Sequence, residues 1–126
     1  MDEMIKGIGV DIIDVARIKK MVEKGRGFVE KVFTETEICY CGDKYRQEVH
    51  YAGRFAAKEA LLKAMGTGLR GAMAWTDICI ENNELGKPGI TLAGKTLENF
   101  KKNKFQTIHL SISHTREYAV AFVIIQ

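Results

Sequence analysis

Hydrophobic positions along the chain change their spacing several times, and each change predicts an element. Residues 4–11 read as a strand, with Ile8 and Val10 apolar and Gly7 and Gly9 allowing a neighbouring backbone to come close. From Asp14 the spacing becomes helical. Val15, Ile18, Met21 and Val22 form an apolar stripe, Asp14 caps the start, and Gly25 marks the end. Arg17, Lys20 and Lys24 recur on another face of that helix. Residues 28–33 predict a short helical turn. Thr34-Glu35-Thr36-Glu37 is a capping box that opens a helix at Glu35 and runs to about Gly42. Residues 43–65 read as one long helix with Val49, Ala52, Phe55, Ala56, Leu62 and Met65 facing the core, stopped by Gly66.

The second half of the chain predicts mainly strands. Residues 75–81 and 90–92 read as strands, separated by the turn signals Asn82-Asn83 and Gly86-Lys87-Pro88-Gly89. A helix follows over residues 93–102, through Leu97 and Phe100. Thr107, His109, Ser111 and Ser113 then alternate with Ile108, Leu110 and Ile112, which is strand periodicity. Residues 118–125 are apolar on both faces and predict a buried strand, joined to the previous one as a hairpin through His114-Thr115-Arg116-Glu117. The order is a strand, helices with one long central member, then mostly antiparallel strands, which predicts the α+β class. At 126 residues, one domain over 1–126 is expected.

Composition narrows the function classes. Hydrophobic residues make up 46% and charged residues 28%, which is ordinary globular usage. No apolar run approaches the length of a membrane span, and the acidic start Met1-Asp2-Glu3 does not resemble a signal peptide. The odd set Cys39, Cys41 and Cys79 suggests reduced thiols and a cytoplasmic setting rather than a disulfide framework or structural zinc. A net charge of +3 suits anionic small molecules or an acidic protein partner and is too weak to argue for nucleic acid.

Candidate chemistry concentrates in three segments: Gly7-Ile8-Gly9-Val10-Asp11, Arg54-Phe55-Ala56-Ala57-Lys58-Glu59-Ala60-Leu61-Leu62-Lys63, and Ser111-Ile112-Ser113-His114. Glu59 and Lys63 stand four apart and share one helix face. With Arg54 and Lys58 nearby, that helix offers a carboxylate for a metal ion and cations for a phosphate. Taken singly, Asp11 reads as a solvated turn, Glu59 as an exposed ion pair and His114 as a surface histidine. Together, Asp11 and Glu59 supply the one or two carboxylates that magnesium uses alongside substrate phosphates. Ser113 and Arg116 beside His114 suggest an anion contact. His109 and His50 lack such context, and His50 is expected on the outer face of the long helix. No G-x-x-x-x-G-K-[ST] motif is present and Gly7-Ile8-Gly9 lacks a third glycine, so phosphate binding falls to side chains and a metal.

Gly7-Ile8-Gly9-Val10-Asp11-Ile12, Arg54-Phe55-Ala56-Ala57-Lys58-Glu59-Ala60 and Ser111-Ile112-Ser113-His114-Thr115 occur in an order and spacing that resemble the holo-[acyl-carrier-protein] synthases, the small bacterial-type 4′-phosphopantetheinyl transferases. Gly66-Thr67-Gly68 and Gly86-Lys87-Pro88 extend the resemblance over nearly the whole chain. It implies the fold of that family and transfer of 4′-phosphopantetheine from coenzyme A to a serine of apo acyl carrier protein, in fatty acid biosynthesis. It implies Mg2+ held by Asp11 and Glu59, with Glu59 as base and Lys63 stabilising phosphate charge. Arg46, Arg54, Lys58, Ser113 and His114 fall among its substrate-binding positions. Arg17, Met21 and Lys24 fall on its carrier-docking helix, with lysine at 24 where arginine is expected. Tyr45 stands where a second basic residue is common. A homotrimer with active sites between subunits is also implied. The residues alone leave open a non-catalytic basic module holding an acidic partner, and a metal-dependent phosphohydrolase.

Overall fold

The computed structural model describes residues 4–126; Met1, Asp2 and Glu3 lie outside the described residues. Strand β1 (Gly7–Asp14) leads into helix α1 (Val15–Lys24), α2 (Phe28–Val32), α3 (Glu35–Gly42) and the long α4 (Gln47–Met65). A 3₁₀ turn at Trp75–Asp77 precedes β2 (Ile78–Asn82) and β3 (Pro88–Leu92), then α5 (Gly94–Lys102), β4 (Ile108–His114) and β5 (Tyr118–Ile125). The sheet order is β1-β5-β4, antiparallel throughout, with β2-β3 as a separate antiparallel pair. The expected α+β class is what the chain adopts.

Local chemistry sets the boundaries. Asp14 Oδ1 accepts from the Ala16 amide at 2.9 Å, capping α1. Thr34 and Glu37 form the reciprocal capping box of α3. Gly66 closes α4 at φ 76, donating to the Leu62 and Lys63 carbonyls. Three boundaries differ from expectation. β1 runs three residues further, because its register continues through Asp11↔Ala121 to Asp14↔Tyr118. Residues 43–46 form turns before α4 rather than its first coil. The strand expected at residue 75 opens instead as a 3₁₀ turn, where Asp77 Oδ2 accepts from Ala74 N and from both the amide and hydroxyl of Thr96.

α4 packs across the sheet and carries most of the core. Ala52, Ala56, Ala57, Ala60 and Leu61 are completely buried, as are Ala119, Ala121, Val123 and Ile125 of β5, the strand that α4 packs against together with β1. The closest approach is to β1. A Cβ built on Gly9 would overlap the Ala60 carbonyl oxygen, and one on Gly7 would overlap that of Ala64. Two strand residues advance roughly 6.7 Å and four helix residues roughly 6 Å, so this pairing keeps step along both backbones.

The other face of the sheet is open and apolar. Ile8, Val10 and Ile12 of β1 are 50–64% exposed, as are Tyr118 (49%) and Phe122 (41%) of β5. β5, expected to be buried on both sides, is covered only on its α4 side within one chain. Among the described residues no helix is long and apolar enough to cross a membrane.

Gly9→Ala should lower stability by about 1–3 kcal/mol, since the methyl meets backbone that cannot rotate away. Urea unfolding followed by circular dichroism measures it; an unchanged midpoint would remove the close strand–helix contact from the account.

Candidate active site

Alternation along β1 turns Gly7, Gly9, Asp11 and Ile13 toward α4 and Ile8, Val10 and Ile12 away. Asp11 therefore lies mid-strand in the helix–sheet groove, not at a strand end. Helical side chains lean toward the helix N-terminus, which carries Lys63 back along α4 toward Asp11. Lys63 Nζ donates to Asp11 Oδ1 at 2.8 Å and to the Val10 carbonyl at 3.2 Å. The second oxygen, Asp11 Oδ2, is buried with no hydrogen-bond partner. Glu59 is the half-buried acid beside this pair. Burial, and then the Asp11 carboxylate, push the Glu59 carboxyl above its ordinary value, while Lys63 and Arg17 pull it down. The hydrogen bond to Asp11 in turn holds Lys63 above its ordinary value. Asp11, Glu59 and Lys63 thus converge as expected, with Arg17 of α1 in electrostatic reach.

This donor set fits a hard divalent cation. An orphaned carboxylate oxygen next to a second, partly desolvated carboxylate is repulsive on its own and is relieved by positive charge. Among the described residues no group of three or more His, Cys, Asp or Glu side chains could hold a metal. A cation here would draw its remaining oxygens from substrate and water, the habit of magnesium.

A second cluster occupies another side of α4. The Arg54 guanidinium lies 4.0 Å over the Tyr40 ring and its Nη2 donates to Asn82 Oδ1 at 3.2 Å. Arg54 is buried, yet its Nε has no partner. It lines a cavity of about 170 Å³ with Tyr40, His50, Asn82, Ile112 and His114. A cleft of about 390 Å³, holding Lys44, Tyr45, Arg46 and Arg116, shares His50 and His114 with that cavity. Arg46, Arg54 and His114 are therefore grouped as expected. Arg54 and Glu59 are five residues apart, about 140° around the helix, so the two clusters face different ways.

Two expected site residues go elsewhere. Lys58 is not a substrate ligand: it is fully buried, paired to Glu37 Oε1 at 2.7 Å, and donates to the Val32 and Trp75 carbonyls. Glu37 Oε2 accepts from Ile80 N at 2.9 Å, so this ion pair joins α3, α4 and β2. Ser113 alternates with His114 on β4 and lies exposed on the outer sheet face, away from the cavity. His50, expected on the outer helix face, is half-buried against Tyr40 and His114, with ring centroids 5.8 and 5.7 Å away. Tyr40, His50 and Asn82 are the site residues that sequence reasoning missed. Arg17 and Lys24 are exposed on α1 and Met21 is half-buried. The cysteines are all free, and burial pushes the Cys41 thiol up to about 12.

Comparison with known proteins agrees with this geometry. A sequence model of the 4′-phosphopantetheinyl transferase superfamily matches residues 7–123. The holo-[acyl-carrier-protein] synthase of Clostridium tetani (strain Massachusetts / E88) is 50% identical over 123 residues, 98% of this chain and 97% of the relative. That of Geotalea daltonii is 46% identical over 124 residues, 98% and 99% of the two chains. The crystal structure of the Neisseria meningitidis holo-[acyl-carrier-protein] synthase aligns with a TM-score of 0.89 at 34% identity, covering 98% and 99%. A Bacillus anthracis str. Ames relative, solved in complex with CoA (3′,5′-ADP), aligns at 0.79 with 40% identity, covering 97% and 96%. The chain belongs to the 4′-phosphopantetheinyl transferase superfamily, within its holo-[acyl-carrier-protein] synthases. It is an enzyme, a phosphopantetheinyl transferase.

Glu59→Gln offers a stability test with a defined sign. A carboxyl raised on folding stabilises fully below its unfolded value and loses that contribution as pH rises through its folded value. At neutral pH the charged Glu59 is therefore a cost. Glu59→Gln should melt at a higher temperature than wild type at pH 7.5, and the gain should vanish in acid. A lower melting temperature at pH 7.5 would contradict the site's electrostatics.

Proposed function

We propose that this chain transfers 4′-phosphopantetheine from coenzyme A to a serine of apo acyl carrier protein, releasing adenosine 3′,5′-bisphosphate, in cytoplasmic fatty acid biosynthesis. The observation that carries this reading is the Asp11–Glu59–Lys63 cluster, where an unpartnered acid oxygen, a carboxyl of raised proton affinity and an ammonium meet. The serine hydroxyl attacks the β-phosphorus of the coenzyme A pyrophosphate. A serine oxygen–phosphorus bond forms and the bond to the bridging oxygen breaks, leaving that oxygen on adenosine 3′,5′-bisphosphate. Glu59 takes the serine proton, directly or through a water. Lys63 stabilises negative charge on the phosphoryl oxygens. Asp11 and Glu59 would hold Mg2+, which neutralises pyrophosphate charge when bound. Arg54, His114 and Arg46 grip the 3′-phosphate and adenosine end, for which the two adjoining cationic cavities that meet at His114 are suited.

The carrier protein docks on α1 through Arg17, Met21 and Lys24. Arg17 lies close enough to act on Glu59, so a partner seated there presents its serine to the base. Lys24 supplies charge without the bidentate geometry of arginine.

The working unit in this reading is a homotrimer. The open apolar face of β1 and β5 suits a second copy of the chain. The divergence of the two clusters around α4 supports a site in which one copy supplies Asp11 and Glu59 and its neighbour supplies Arg54 and His114. The exposed His109, Ser111 and Ser113 belong to the same outer face.

Incubation with coenzyme A, magnesium and apo carrier protein should add one phosphopantetheine to the carrier, read by intact-mass spectrometry. Asp11→Ala and Glu59→Ala should each abolish transfer while keeping the native far-ultraviolet spectrum, and removal of divalent ions should do the same to wild type. Binding of the carrier without any mass gain would favour the basic-module reading instead.

Mixing two inactive variants tests the shared site. Asp11→Ala and Arg54→Ala, unfolded and refolded together in equal amounts, should recover about one quarter of wild-type activity by random assortment around a rotational interface. No recovery, in a mixture that light scattering shows to be trimeric, would contradict a site divided between copies.

A further inference from the structure

His50 has no role in the reading above, yet it stands with His114 at the junction of two cavities, the smaller of which holds Arg54. Its ring packs edge-to-face on Tyr40 from α3 and on His114 from β4. Positive groups converge on it. Arg54 lies one turn along α4, Lys44 sits 4.4 Å over the Tyr40 ring, and Arg46 and Arg116 line the cleft. Among the described residues the acid acting on it is Glu48, which stands 4.0 Å from Arg46. Asn82 of β2 contributes neutral polarity and already accepts from Arg54.

This is a cavity built for a multiply charged anion. It has a buried guanidinium with an unpartnered nitrogen and two adjacent imidazoles, and three further cations line the cleft that adjoins it. We propose that His50 is a further ligand of the 3′-phosphate of coenzyme A, taking up a proton from solvent as that phosphate enters the cavity it shares with Arg54 and His114. The inference rests on the coenzyme A reading above. Without an anion, burial and then His114, Arg54 and Lys44 hold His50 below its ordinary value, so the imidazole is neutral. A phosphate dianion reverses the sign of the local field. The protonated ring then donates a charge-assisted hydrogen bond to a phosphate oxygen. His50 thereby discriminates coenzyme A from analogues that lack the 3′-phosphate, because only that group draws the proton.

Titration calorimetry of wild type at pH 7, in buffers of different ionisation enthalpy, counts the protons. Adenosine 3′,5′-bisphosphate should bind with net proton uptake, and adenosine 5′-monophosphate with much less. Any deprotonation of the ligand on binding works in the opposite sense, because the second ionisation of a phosphate monoester lies near pH 6. His50→Phe keeps a ring in place. It should lose the uptake, bind the 3′,5′-bisphosphate roughly tenfold more weakly, and leave the 5′-monophosphate unchanged. Buffer-independent heat in wild type, equal uptake with both nucleotides, or undiminished uptake in His50→Phe would each overturn the role of His50. The first two need no variant. Failure of adenosine 3′,5′-bisphosphate to bind wild type at all, or full binding by Arg54→Ala, would overturn the coenzyme A reading itself.

Discussion

The Asp11–Glu59–Lys63 cluster depends on β1 lying directly against the backbone of α4. The contact exists because Gly7 and Gly9 have no Cβ to meet the Ala64 and Ala60 carbonyls. Glycine weakens a strand, and here the loss is offset by a helix–sheet distance that no other residue permits. Once the two backbones are in step, strand alternation delivers Asp11 into the groove, and the lean of helical side chains brings Lys63 to meet it. Two acids far apart in sequence become neighbours through a packing constraint that lies mostly outside the acids themselves.

α4 is both scaffold and divider. Its alanines are buried, one side carries Glu59 and Lys63, and another carries Arg54. Lys58, between them in sequence, is spent on structure. Its pairing with Glu37 is enclosed by hydrogen bonds to Val32, Trp75, Thr34 and Ile80, so neither charge is left uncompensated. Breaking such a pair from one side leaves a buried charge, which gives it a strong hold on how α3 and the β2–β3 hairpin sit against α4. That hold in turn fixes Tyr40 and Asn82, and through them the orientation of Arg54. The anion cavity therefore inherits its shape from a buried ion pair that never touches it.

Local signals were legible in the sequence and cross-chain ones were not. Asp14, the Thr34–Glu37 box, Gly25 and Gly66 each act on backbone within a few residues, and each lies where it was expected. The α+β order and the span of β5 were equally readable. Asp11 and Glu59 could be singled out by their placement among apolar neighbours and paired by the needs of a metal ion, and a family resemblance added the reaction they would serve. The misses share one cause. Lys58 and Glu37, His50 and Tyr40, and Ser113 and His114 are sorted by which side of an element meets another element, and periodicity does not report that. The open face of β5 has the same origin: an apolar strand reads as buried whether its cover comes from its own chain or from a second copy.

Anomalous scattering of manganese, in crystals grown with adenosine 3′,5′-bisphosphate or coenzyme A, locates the cation relative to both acids. The prediction is a single strong peak within about 2.0–2.3 Å of Asp11 Oδ2 and a Glu59 oxygen, with the nucleotide's 3′-phosphate beside Arg54 and His114 of an adjacent copy. A peak elsewhere, or Asp11 and Glu59 carboxylates too far apart to share one ion, would contradict the site on which the whole functional reading stands.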